Sequence, residues 1–155
     1  MTRSMSMEQM AEKLRPLAKK LANLSIQDAN QAKEQIEEQF SLQSPSIQAI
    51  RSLAEKGSRE GWLLPKENGG IRFGRITKDL EGFSVDAVLM SSPGPKHRHG
   101  NGEIDLCFST KGNAKFDGYS EGWVIYPPNS VHTPTVTDGE MLILYFLPGG
   151  AIEFL

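Results

Sequence analysis

The stretch Gly94–Asp105, GPKHRHGNGEID, carries two of the chain's three histidines, His97 and His99, two positions apart and ahead of a carboxylate at Glu103. Side chains alternate between faces along an extended strand, so His97 and His99 aim their imidazoles at one point while Arg98 points away. Gly100-Asn101-Gly102 suits a tight reversal, after which Glu103 opens the next strand and can return beside the histidines. The remaining histidine, His132, follows the run GWVIYP and a proline turn that can bring it alongside the first pair. Spacing alone leaves two readings open. One is a metal site of mixed nitrogen and carboxylate donors; the other is a polar loop with solvated histidines.

The neighbouring sequence has the texture of a β-sheet protein. Beyond Trp62, proline, glycine and asparagine punctuate GIRFGRI, FSVDAVLM, EIDLCFS, GWVIYP, MLILYFLPG and AIEFL, short runs that alternate or are continuously apolar. Several such strands without an intervening helical pattern predict an antiparallel sandwich or barrel. The first third reads differently. Met7, Met10, Leu14, Leu17, Leu21 and Leu24 form a helical seam with steps of three and four, in which Pro16 predicts a kink or two shorter helices. Ser25 and Asp28 resemble a capping box for a second helix reaching Phe40. Ser44 and Pro45 start a third, which Gly57 is expected to stop near Lys56. The expected organisation is a helical segment over residues 1–58, packed on the barrel or at a dimer interface, and a β-barrel over 59–155.

Composition narrows the partners. The chain has 155 residues and a formal charge of −2, with both signs spread through it, so it has no basic stripe for nucleic acid. Its longest strongly apolar run, MLILYFL, is far below the ~20 residues needed to span a bilayer, and no membrane partner is expected. The N-terminus has no continuous apolar region of the kind a secretory signal carries. One cysteine, Cys107, excludes an intramolecular disulfide, and a cytoplasmic location is expected.

The string GPKHRHGNGEIDLCFSTKG, followed by GWVIYPPNSVH, resembles the two motifs of the cupin superfamily. Cupins are small jelly-roll barrels, or double-stranded β-helices, that hold a metal with two histidines, a glutamate and a later histidine. The resemblance puts His97, His99, Glu103 and His132 on those four positions. Departures from the motifs fall at turns: Gly112 is far from Glu103, Asn129 stands where glycine is common, and Val136 where asparagine is. A narrower likeness covers residues 70–155, where RFGRI, GFSVDAV, HGNGEIDLCF, FDGYSEGWVIYPPNSVHTPTV and LYFLPGGAIEF resemble the 4-hydroxylaminobenzoate lyase family. Members of that family convert 4-hydroxylaminobenzoate to 3,4-dihydroxybenzoate with release of ammonia.

The resemblance implies a mainly β, cupin-type fold with an N-terminal helical segment, a divalent transition metal (Fe, Mn, Co, Ni or Zn), a small aromatic acid as substrate, and a homodimer. Four protein donors leave open positions on a six-coordinate ion, as catalysis requires. Glu103 and Asp105 share a strand face and are the carboxylates assigned to catalysis, Asp105 as general acid or base. A benzoate needs a cation, for which Arg72, Arg75 and Arg98 are the candidates, although a solvated role is expected for Arg72 and Arg75. Phe73, Trp123, Tyr126 and Tyr145 are expected mainly in the core, and Cys107 as a small apolar residue. Other readings of the same scaffold are a cupin dioxygenase or isomerase, or a non-catalytic sensor of a small acid.

Overall fold

The computed structural model describes residues 2–155, so Met1, the first residue of the expected helical segment, lies outside the described residues. Three helices precede nine strands: α1 (Arg3–Ala22), α2 (Ala29–Gln39), α3 (Pro45–Glu60), β1 (Lys66–Asn68), β2 (Ile71–Leu80), β3 (Phe83–Met90), β4 (His97–His99), β5 (Glu103–Phe116), β6 (Gly122–Tyr126), β7 (Ser130–His132), β8 (Val136–Pro148) and β9 (Glu153–Phe154).

Each helix differs in one respect from its sequence signals. Helix α1 runs unbroken through Pro16, so the expected division into two shorter helices does not occur. Pro16 is exposed, so the carbonyl it leaves unpaired faces solvent, while buried Met7, Met10, Leu14, Leu17 and Leu21 pack both halves into the same core. Helix α2 is capped by Asp28 itself, whose carboxylate accepts from the Gln31 amide at 3.1 Å; Ile26 is buried ahead of the helix. Ser44 and Pro45 open α3 as expected, but the helix passes Gly57 and stops at Gly61, which takes the left-handed conformation (φ 85°). Gly57 serves packing instead: a Cβ there would lie 2.6 Å from the Trp62 ring.

The strands form an antiparallel six-stranded sheet in the order β1-β2-β3-β8-β5-β6 and a three-stranded sheet in the order β7-β4-β9. Together they make the cupin-type jelly-roll barrel. Its two faces bury separate clusters. Outward residues Val85, Ala87, Leu106, Phe108, Leu142, Leu144 and Phe146 form one core with the seams of all three helices. Inward residues Met90, Cys107, Phe116, Val136, Ile143 and Tyr145 form the second. Burial on both sides explains why β5 and β8 read as nearly continuous apolar runs rather than alternating ones. Trp123 faces the helices, where its indole N–H donates to the Phe40 carbonyl at 2.8 Å and ties the end of α2 to the barrel.

Candidate metal centre

The inward face of the barrel converges on the histidines. His97 in β4 stands directly opposite His132 in β7, and His99 opposite Ser130. The turn after β4 lets Glu103 start β5 on the facing sheet; Gly102 takes φ 90° there, with no room for a Cβ against Ile26 and the Tyr126 carbonyl. One donor atom from each of His97, His99, Glu103 and His132 lies within 4.8 Å of all the others, a grouping that could hold a metal ion. His132 Nε2 is 2.7 Å from Glu103 Oε2 and 3.0 Å from His97 Nε2, and His99 Nε2 is 3.4 Å from Glu103 Oε1.

The far side of each imidazole is also specified. Nδ1 of His97 is 3.1 Å from the Pro95 carbonyl, that of His99 is 3.2 Å from the Ala151 carbonyl, and that of His132 is 2.7 Å from Asp117 Oδ2. Each Nδ1 faces an acceptor for its proton, which turns the three Nε2 atoms toward one another and toward a carboxylate, as metal ligation requires. His99 Nε2 and Glu103 Oε1 are buried without a hydrogen-bond partner. Two donors left unpartnered in the middle of a buried cluster of three imidazoles and a carboxylate fit a divalent metal.

Without an ion the cluster is electrostatically divided. Burial holds the His97 imidazole down at about 4, against the pull of Glu103. Burial opposes the charged form of His132 too, but hydrogen bonds to Asp117 and Glu103 raise it to about 9. Glu103 is lowered to about 2 because hydrogen bonding from His132 and the nearness of His99 outweigh its burial.

Asp105 lies on the Glu103 face, fully buried, and neither of its oxygens has a hydrogen-bond partner. Burial, then repulsion from Glu103, pushes its carboxyl well above the usual range. Its neighbours across the sheet are Tyr145 and Val124. Cys107, next on that face, is a buried free thiol pushed upward by burial and by Asp105.

A cavity of about 860 Å³ opens beside the centre, walled by His97, His99, Tyr145, Phe73, Arg75 and Phe154 among others. Asp105 does not reach this wall, whereas its cross-strand neighbour Tyr145 does. Arg75 is solvent-exposed and also lines the cavity, where it pairs with Asp86 at 2.7 Å. Arg72 turns toward the Leu64 carbonyl, and Arg98 points away from the histidines to Glu153.

Two features of the site went unread in the sequence: the role of Asp117, and where the strand expected in AIEFL pairs. Asp117 accepts from the Tyr126 hydroxyl at 2.6 Å and from the Thr135 amide at 2.8 Å besides His132, so it sets the ring orientation of the last histidine. The C-terminal residues fold back as β9 along β4, which supplies the Ala151 carbonyl and sets the Phe154 ring 6.3 Å from that of His97.

Comparison with known proteins adds to this geometry. A family model described as 4-hydroxylaminobenzoate lyase (PnbB) matches residues 12–154, and thus takes in the helices as well as the barrel. A protein named 4-hydroxylaminobenzoate lyase from a Nocardioides species is 30% identical over 124 residues, covering 72% of this chain and 73% of the relative. One of the same name from Pseudomonas putida is 28% identical over 156 aligned residues, covering 86% of this chain and 89% of the relative. Among solved structures, an RmlC-like cupin protein of Ralstonia eutropha matches with a TM-score of 0.45 at 12% identity, over 60% of this chain and 65% of that one. The DMSP lyase DddQ of Ruegeria pomeroyi matches at 0.47 and 13%, over 79% and 75%. At such scores the structural likenesses carry no weight for function. With a family match running through nearly the whole length, from α1 to β9, the chain belongs to the 4-hydroxylaminobenzoate lyase family.

Proposed function

We propose that this chain is a metal-dependent lyase that converts 4-hydroxylaminobenzoate, or a close aromatic relative, to 3,4-dihydroxybenzoate and ammonia. The observation that carries the reading is the meeting of three imidazole Nε2 atoms and one carboxylate beside a largely apolar cavity, in a chain whose relatives carry the name of that activity. His97, His99, Glu103 and His132 are the proposed ligands of a divalent transition metal. A metal held there supplies a Lewis acid that polarises an oxygen or lowers the pKa of water.

The overall reaction consumes one water and needs no external oxidant. The nitrogen gains the two electrons lost by the ring as the N–O bond breaks, and it departs as ammonia while oxygen is added to the ring. The protein's task is to exclude bulk solvent and to move protons. Phe73, Val88, Met90 and Tyr145 give the aromatic ring an apolar berth. Asp105 is proposed as the proton donor and acceptor behind the ligand shell: it is fully buried, its oxygens are unpartnered, and it lies on the Glu103 face.

The test is turnover of 4-hydroxylaminobenzoate by purified protein under nitrogen, followed as ammonia and 3,4-dihydroxybenzoate, with and without chelator. Stoichiometric products that disappear on chelation and return with added metal are expected. Oxygen-dependent turnover would replace the lyase reading with a dioxygenase one, and tight binding without turnover would replace it with a sensor.

A further inference from the structure

We infer that Arg75, held in place by Asp86 on the cavity wall, is the anchor for the carboxylate of an aromatic acid and so the residue that selects acids over neutral aromatics. The inference rests on the lyase reading for its substrate but not for its geometry. Arg75 belongs to a cross-strand row on the inward face, Arg75–Asp86–Tyr145–Asp105, in which each residue stands opposite the next on β2, β3, β8 and β5. The row joins the charged wall of the cavity to the buried carboxyl beside Glu103.

The guanidinium spends only part of its donor set on the protein. Nε donates to Asp86 Oδ1 at 2.7 Å and Nη2 to Oδ2 at 3.5 Å, and Nη1 donates to no group among the described residues. Asp86 thus fixes the plane of the fork while leaving an edge open for a second carboxylate, the planar two-point recognition that suits arginine and not lysine. The surroundings favour an anion. Arg75, Lys66 and Lys78 stand on the cavity wall against the single carboxylate of Asp86, in a chain whose overall charge is −2. The other lining residues include Phe73, Val88, Met90 and Tyr145, so a ligand with one anionic end and an apolar ring matches the wall. Neither Arg72 nor Arg98 lines it.

The experiment compares two ligands that differ only in the carboxylate, 3,4-dihydroxybenzoate and catechol. Their binding to metal-loaded wild type, Arg75→Gln, Arg75→Lys and Lys78→Gln is measured by calorimetry, alongside metal content and thermal midpoint. Arg75→Gln is expected to weaken 3,4-dihydroxybenzoate by about tenfold while leaving catechol unchanged; the guanidinium is 52% exposed, which keeps the effect at the low end for a charge-assisted pair. Arg75→Lys should recover part of the loss, and Lys78→Gln should weaken 3,4-dihydroxybenzoate by less than Arg75→Gln does while leaving catechol unchanged.

Equal loss for both ligands, no loss for either, or a larger effect from Lys78→Gln than from Arg75→Gln overturns the assignment. Turnover of 4-hydroxylaminobenzoate by the same samples separates the two claims. A wild type that turns it over while Arg75→Gln keeps the wild-type KM retains the lyase and loses the anchor. A wild type that binds the acid through Arg75 without turnover retains the anchor and loses the lyase.

Discussion

Replacing Asp117 by asparagine tests whether the proton on His132 is assigned from behind the metal centre. The carboxylate accepts three hydrogen bonds: Oδ2 from His132 Nδ1 at 2.7 Å and from Tyr126 at 2.6 Å, and Oδ1 from the Thr135 amide at 2.8 Å. An amide has one acceptor oxygen and one donating nitrogen, so asparagine cannot reproduce the set. With its oxygen toward Thr135, its NH2 faces His132 Nδ1, which then must accept; the ring proton moves to Nε2 and blocks the lone pair that faces Glu103. With the orientation reversed, the NH2 meets the Thr135 N–H, two donors in a partly buried space, at a cost of about 1–3 kcal/mol. Either way the metal-competent form becomes a minority, and loss of such an outer hydrogen bond typically weakens metal binding ~10–100-fold. That corresponds to ~1.4–2.8 kcal/mol at tenfold per 1.4 kcal/mol. The assay is competition between the protein and a chromophoric chelator for cobalt or zinc, on samples with matched circular dichroism. Wild-type affinity in a folded Asp117→Asn protein would refute the reasoning, because His132 would then have no need of its outer acceptor.

Other consequences are equally open to measurement. His97→Ala and His132→Ala should each lose most bound metal, by elemental analysis, with the fold retained; full occupancy in both would remove these residues from the ligand set. Truncation after Pro148 deletes the Ala151 carbonyl that holds His99 Nδ1 and the β9 pairing along β4, and should weaken metal binding by ~10-fold or more in the same competition assay. Trp123→Phe leaves the Phe40 carbonyl without its indole donor and should lower stability by about 1–3 kcal/mol in urea unfolding while sparing metal content. Gly74→Ala drives a Cβ into the Leu63 carbonyl oxygen, and a destabilisation of about 1–3 kcal/mol is expected from the thermal midpoint.

The histidine cluster was legible because strand alternation is strict: two imidazoles with one residue between them share a face wherever that segment is extended. Strand β4 itself, three residues long, is too short for hydrophobic periodicity to reveal; only the chemistry of its side chains announced it. Asp117 was not legible. Its role depends on the turn between β5 and β6 bringing its carboxylate under His132, fifteen residues on, and FDGYS reads as nothing more than a turn. A strand in AIEFL was legible, but its place was not, since a two-residue pairing along β4 depends on tertiary contact and not on a local pattern. At Pro16 local preference spoke clearly and was overruled, because the buried seam on either side of an exposed proline outweighs one missing hydrogen bond. The helices carried only amphipathic signals, which are shared by helices of many folds, so the family likeness was visible from about residue 70 although the match begins at residue 12.

The four converging side chains come from two sheets of unequal strength. Glu103 begins β5, a strand of 14 residues sandwiched between the helices and the barrel interior, whereas the histidines belong to β4 and β7, of three residues each. Backbone amides in the first region should exchange with solvent only through global opening, and those in the second through local fraying. Whatever bridges the cluster therefore staples a flexible flap to a rigid plate, and deuterium uptake at residues 97–99 and 130–132 should slow on loading while the middle of β5 stays as it was.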